Sequence, residues 1–204
     1  MFTSRTLLEG KWPIAGLAAL SVAGGLWCWL AATISLALLA FTIAFFRDPE
    51  AVAPADDWVI VAPATGKIVE ITPVSETTMV AIFLSVFDVH VQRAPIAGTI
   101  KRVQYHAGKF LDARHPDASA LNESRLIEME TADGYRVVVK QIAGLIARRI
   151  VGWAGEGATL AKGERIGMIR FGSRVELFVP ARTEIVAKVG DYAKGGETIL
   201  ARRT

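Results

Sequence analysis

Cysteine is nearly missing from this chain. Cys28 is the only one, which excludes an intramolecular disulfide, a cysteine zinc cluster and a CxxC redox pair. It lies in an apolar stretch, reads as packing, and fits a reducing compartment. Long basic runs are missing too. No five consecutive Lys or Arg occur, and no aromatics interleave the basic residues, so the footprint of a nucleic-acid binder is lacking and no nucleic-acid partner is expected. Neither sign of charge dominates, with 23 basic against 20 acidic side chains and a net charge of +3. A positive mean hydropathy of +0.37 therefore points to apolar residues gathered in one region.

That region is where charge disappears. From Trp12 to Phe46 no residue is charged, a run of 35 positions, whereas about 20 cover a bilayer as one helix. Gly24 and Gly25 weaken a helix near the middle, and Trp27 and Trp29 favour an interface. Two short helices are expected, roughly 13–25 and 30–46, forming a membrane-associating hairpin within residues 1–48. Arg5 and Lys11 before the run and Arg47 after it favour both ends on the cytoplasmic face of the cell membrane, whether the hairpin spans the bilayer or dips into it. The run is too long for a signal peptide and ends in bulky Phe45-Phe46-Arg47, so it is expected to be retained.

After a polar, proline-containing linker to about Asp57 the composition changes to short β-rich runs: Trp58 to Ala62, Met79 to Leu84, Tyr135 to Lys140 and Val175 to Val179. Two echoes recur. Pro63 to Ile68 is matched by Pro95 to Ile100, and the Gly157/Gly163-Glu164 spacing by Gly190/Gly196-Glu197. Repeated turn-then-strand units resemble the barrel-sandwich architecture of biotinyl and lipoyl carriers. The expected fold is mostly β (α+β), with short helices, over residues 49–204. Segments 122–129 and 141–150 settle on neither a helical nor a strand period.

The chemistry concentrates at Gly172-Ser173. A Gly-Ser step between apolar runs is usually a turn, but Gly also lets the backbone bend so that the next hydroxyl can approach the preceding carbonyl, and an activated Ser is a nucleophile. Around this step the chain resembles phosphatidylserine decarboxylases, especially their short form. The segments that carry the resemblance are Phe45 to Pro49, Phe87 to Pro95, Gly108 to Ala113, Gln141 to Ile150 and Arg165 to Arg174.

The resemblance implies self-cleavage between Gly172 and Ser173, leaving a long β chain and an α chain of the last 32 residues. The first residue of that α chain is a pyruvoyl group made from Ser173, with no metal and no external cofactor. A Schiff base between this group and the amine of phosphatidylserine would yield phosphatidylethanolamine and carbon dioxide. It also implies that His90 moves the proton. Among Arg93, Lys109, Arg148 and Arg149, Arg93 is the favoured contact for the substrate phosphate, since a guanidinium can bond two oxygens. A homodimer is possible. The Asp88 side chain is not expected to orient the imidazole, whether or not residues 88–90 are extended. His106 and His115 read as surface residues.

Two departures stand out. The family's usual Ala-Asp-Gly reads Ala64-Thr65-Gly66 here, so the carboxylate assigned to self-cleavage is missing, and Arg93 takes the place of a second histidine found in longer members. The usual Asn-Glu-Arg reads Asn122-Glu123-Ser124. The alternative reading is therefore a non-processed, weak or inactive membrane-tethered lipid-binding relative. A carrier domain is disfavoured, because neither Lys67 nor Lys194 has the flanking residues of a modifiable hairpin lysine.

Overall fold

Thr3 starts the first helix. Its hydroxyl oxygen accepts the Thr6 N–H while the Thr3 N–H donates to the Thr6 hydroxyl oxygen, a reciprocal cap that satisfies two otherwise orphaned donors. In the computed structural model, which describes residues 3–145, 149–170 and 173–204 (only the backbone of Trp27), α1 therefore spans Ser4–Trp27. This corrects the start near residue 13 expected from the apolar run: capping, not hydrophobicity, sets the helix end, and Pro13 is accommodated inside. Cys28 is extended and breaks the chain direction before α2, Trp29–Phe45.

The two helices touch through Ser21 and Ser35, whose hydroxyls lie 2.9 Å apart, and through Gly24, where a Cβ would meet the Ala32 nitrogen at 2.9 Å. Thr3 also donates to Asp48 at 2.9 Å. No described helix is both long and apolar enough to cross a membrane. The 17 residues of α2 rise about 26 Å at 1.5 Å each, short of a hydrocarbon core of about 30 Å.

Met1–Glu50 and Ala51–Thr204 are two separate compact units. Among the described residues of the second, the strands are β1 (Val59–Val61), β2 (Gly66–Val74), β3 (Thr77–Leu84), β4 (Val91–Arg93) and β5 (Gly98–His106). After the single-turn helix α3 (Ala118–Leu121) come β6 (Ser124–Glu130), β7 (Arg136–Ile142), β8 (Ile150–Gly152), β9 (Thr159–Leu160) and β10 (Arg165–Ile169). The chain ends with β11 (Ser173–Pro180), β12 (Glu184–Ile185), β13 (Tyr192–Ala193) and β14 (Ile199–Arg202). The main sheet has the order β13-β2-β3-β11-β7-β6-β5-β9, flanked by β1-β14-β12 and β4-β10-β8.

The fold is mostly β with helices, as its composition indicates, and the eight-stranded sheet stays open rather than closing into a barrel. Segment 122–129 runs into strand β6 from Ser124 on. Segment 141–150 holds the end of β7 and the first residue of β8, and its residues 146–148 lie outside the described ones.

Both sequence echoes are structural. Gly157, Gly163, Gly190 and Gly196 all have φ between +80 and +100°, a region costly for residues with a Cβ. The Gly157 N–H bonds the Ile100 carbonyl at 2.8 Å and the Gly190 N–H the Ile68 carbonyl at 2.9 Å, while Gly163 and Gly196 donate to Ala94 and Ala62, each at 2.8 Å. The two repeats thus grip β2 and β5 in the same way. The main sheet contributes Ile68, Ile82, Ile100, Met129, Val139 and Val175 to one core.

Candidate active site around Ser173

β11 lies in the interior of the main sheet, with Ser173 opposite Leu84 of β3 and Arg174 opposite Ile142 of β7. Strand alternation sends Ser173, Val175, Leu177 and Val179 to the core, all buried, and Arg174 to the opposite face. Ser173 is fully buried, and its Oγ has no hydrogen-bond partner among the described residues. A buried hydroxyl left unpaired costs about 1–3 kcal/mol, so its position calls for a functional reason. Gly172, the other half of the step, lies outside the described residues, as does Arg148.

His90 reaches the same end of the sheet from the other side of the chain. Leu84 opposite Ser173 leads directly into the turn containing Asp88 and then to His90. The His90 carbonyl accepts the Ile169 N–H at 3.2 Å, and Ile169 ends the strand that precedes Ser173. The imidazole is fully buried, with Nδ1 2.9 Å from the Asp88 carbonyl oxygen. A carbonyl only accepts, so Nδ1 carries a proton in this contact.

Residues 85–88 form a turn closed by the Asp88 N–H on the Ser85 carbonyl at 3.0 Å, and residues 88–90 are not part of a strand. Asp88 does orient His90, but through its backbone. Its carboxylate accepts the Ser85 N–H at 2.7 Å and the Tyr192 hydroxyl at 2.5 Å.

On the opposite face Arg174 bridges Glu70 and Glu176, at 2.7 and 2.8 Å, and the guanidinium holds the Glu70 carboxyl below its ordinary pKa. Glu176, almost fully buried, also accepts the Ser119 hydroxyl at 2.9 Å. Sequence reasoning missed this anchor beside the Gly172-Ser173 step; nothing in a strand pattern signals that a charged residue on the outer face is covered by α3.

The other candidates separate. Thr65 Oγ1 accepts the Gly195 N–H at 2.9 Å and offers no carboxylate. Arg93 is 5% exposed, with Nη1 on the Gly163 carbonyl at 2.9 Å, and a Cβ built on Gly196 would lie 2.7 Å from its Cδ. Its guanidinium is thus packed between the two repeated glycine turns. Lys109 and Arg149 are exposed, as are His106 and His115.

Residues 38–201 match the family model described as phosphatidylserine decarboxylase. The chain belongs to the phosphatidylserine decarboxylase family. A protein of Trichlorobacter lovleyi named phosphatidylserine decarboxylase proenzyme is 48% identical over 84% of this chain and 80% of its own length. One of Nitratidesulfovibrio vulgaris with the same name is 46% identical over 87% and 84%. A Geotalea daltonii proenzyme is 41% identical over 97% of this chain and 96% of its own. Membership in the phosphatidylserine decarboxylase family gives the buried Ser173 hydroxyl a context: these relatives are named as proenzymes.

Arg93 yields a test of its placement. If its guanidinium serves as the clamp on Gly163, Arg93→Ala is expected to lower stability by about 1–3 kcal/mol, the cost of an unsatisfied buried carbonyl and a cavity, with KM unchanged. A raised KM at unchanged Tm would return Arg93 to the substrate phosphate.

Proposed function

We propose that this chain is a pyruvoyl-dependent phosphatidylserine decarboxylase, a carboxy-lyase that converts phosphatidylserine to phosphatidylethanolamine and carbon dioxide after cutting itself between Gly172 and Ser173. The observation that carries this reading is the buried Ser173 Oγ, without a hydrogen-bond partner among the described residues, at the head of a central strand and inside the 38–201 match to the family. The site suits the group: a residue gripped by strands on both sides and closed off from solvent would hold a small carbonyl rigidly. A pyruvoyl group at this position supplies a carbonyl that bonds the substrate amine and withdraws the electron pair freed with carbon dioxide.

The chain's own residues do the rest. The Ser173 hydroxyl attacks the Gly172 carbonyl carbon, and the peptide C–N bond breaks as its nitrogen takes a proton, giving an ester. β-Elimination releases Gly172 as a carboxylate and leaves dehydroalanine, which water hydrolyses to the ketone with loss of ammonia. His90, its Nδ1 tied to the Asp88 carbonyl, accepts and returns the protons. Arg174, locked between two carboxylates, keeps the head of the new α chain in register once the backbone is cut. Arg93 remains the sequence-based assignment for the substrate phosphate. The hairpin exposes Leu20, Leu26, Trp29, Leu30 and Ile34, apolar surface suited to an interfacial seat on the cytoplasmic face of the membrane, where the substrate's acyl chains stay in the bilayer.

The reading is tested by intact-mass analysis of the purified protein together with carbon dioxide release from phosphatidylserine vesicles. Two fragments and turnover are expected; a single 22.0 kDa species without turnover would remove it. Thr65→Asp is expected to speed self-cleavage several-fold, measured as disappearance of the precursor. One carboxylate oxygen can keep the Gly195 N–H while the second is available to the site.

A further inference from the structure

Arg125 sits in an unusual place for a cation. It is 8% exposed, and its hydrogen-bond partners are neutral oxygens: Nη1 donates to Gln141 Oε1 at 3.1 Å and Nη2 to the Ala154 carbonyl at 2.5 Å. No described carboxylate pairs with it. Burial lowers its pKa, and a buried guanidinium without an acid partner is costly. Gly152 makes room for it, since a Cβ there would lie 2.6 Å from Arg125 Cζ.

The bonds continue inward. Gln141 Nε2 donates to Gln92 Oε1 at 2.8 Å, and Gln92 Nε2 donates to the His90 carbonyl at 2.8 Å. Both glutamines are fully buried.

A primary amide can donate or accept at either end, so two linked amides have no direction of their own. A guanidinium only donates and a backbone carbonyl only accepts. With Arg125 at one end and the His90 carbonyl at the other, every amide must turn its oxygen toward Arg125 and its nitrogen toward His90. The chain is thereby polarised, and bonds aligned in a low-dielectric interior reinforce one another.

We infer that Arg125 is a positioning residue for the decarboxylase chemistry, acting through Gln141 and Gln92 to fix the His90 peptide. The inference rests on the role given to His90 above. The His90 carbonyl receives Gln92 and the Ile169 N–H together, while the His90 ring is tied to Asp88; carbonyl and imidazole are thus held at once, and Nε2 is presented in one orientation. Reversing Gln92 would set its oxygen against the His90 carbonyl and release this end. The charge that Asn122-Glu123-Ser124 lacks at Ser124 is supplied here, one residue further on and on the buried face.

Gln141→Glu separates this role from simple packing. Beside Arg125 the new carboxylate stays ionised and makes an ion pair, but it cannot donate to Gln92. The expected result is a Tm at or above wild type, kcat per processed molecule at least tenfold lower with KM within twofold, and amide exchange at Ile169 at least tenfold faster. Arg125→Met is expected to slow kcat likewise, and Arg125→Lys, still donor-only, to restore at least half of the wild-type rate.

Wild-type kcat and wild-type Ile169 protection in Gln141→Glu would overturn the inference. If Gln141→Glu does not fold, Arg125→Lys against Arg125→Met decides: equal rates overturn it. A wild-type protein without turnover would sink the decarboxylase reading instead, and the Ile169 exchange would still report on the relay.

Discussion

Ser173→Ala is expected to yield a single uncut chain of 22.0 kDa with no measurable decarboxylation, a loss of at least about 10⁴-fold, the scale on which removing a covalent catalyst acts. The same variant is expected to keep its stability or gain about 1 kcal/mol, because the hydroxyl it removes is buried with no partner among the described residues. That combination is diagnostic. A structural serine at the head of a central strand would lose stability on truncation, and a surface turn would lose nothing. Intact mass, Tm and carbon dioxide release from phosphatidylserine vesicles, on one preparation, read all three. Two fragments from Ser173→Ala would move the cut elsewhere; turnover by the uncut variant would remove the Ser173-derived group from the reaction.

His90→Gln carries the second large effect. Glutamine can keep a hydrogen bond to the Asp88 carbonyl, which His90 Nδ1 approaches at 2.9 Å, but it cannot transfer a proton. Loss of a positioned acid–base group lowers kcat by about 10²–10⁴-fold, or about 3–5 kcal/mol of barrier, with KM little changed. Because the same imidazole is assigned to self-cleavage, precursor is expected to accumulate as well. The rate is therefore counted per cleaved molecule, with the cleaved fraction taken from intact mass. A His90→Gln protein that matures and turns over at the wild-type rate would leave the imidazole a buried structural residue, and Asp88 and Tyr192 would become the groups to probe.

The effects of these two variants distinguish the parts of the site. Ser173 is tied into the sheet by its neighbours on β3 and β7, whereas His90 depends on a turn and on bonds from Gln92 and Ile169. Substitutions behind His90 are therefore expected to change rates without abolishing processing, and substitutions at Ser173 to abolish both.

The strands were legible because β-branched runs bounded by Gly and Pro have few alternatives: Val175 to Val179 falls inside β11 and Met79 to Leu84 inside β3. The echoed glycines were legible for a related reason, since positions with φ near +80° select the residue without a Cβ and so leave a mark in the sequence. The start of α1 was not, because a capping box at Thr3 and Thr6 outweighs the hydrophobic pattern at a helix end.

By itself the sequence determined the mostly β class, the apolar helical pair and the ordered segments of the family, and it singled out Ser173 and His90 as candidates, all of which depend on residue type at short range. The tertiary structure alone decided that Arg93 is packed against Gly163 and Gly196, that Asp88 holds His90 by its carbonyl, and that Arg125 reaches the His90 peptide through two amides. Those contacts join residues up to 70 positions apart, and their direction is set by which group can only donate and which can only accept, a property of the assembled partners and not of any one residue.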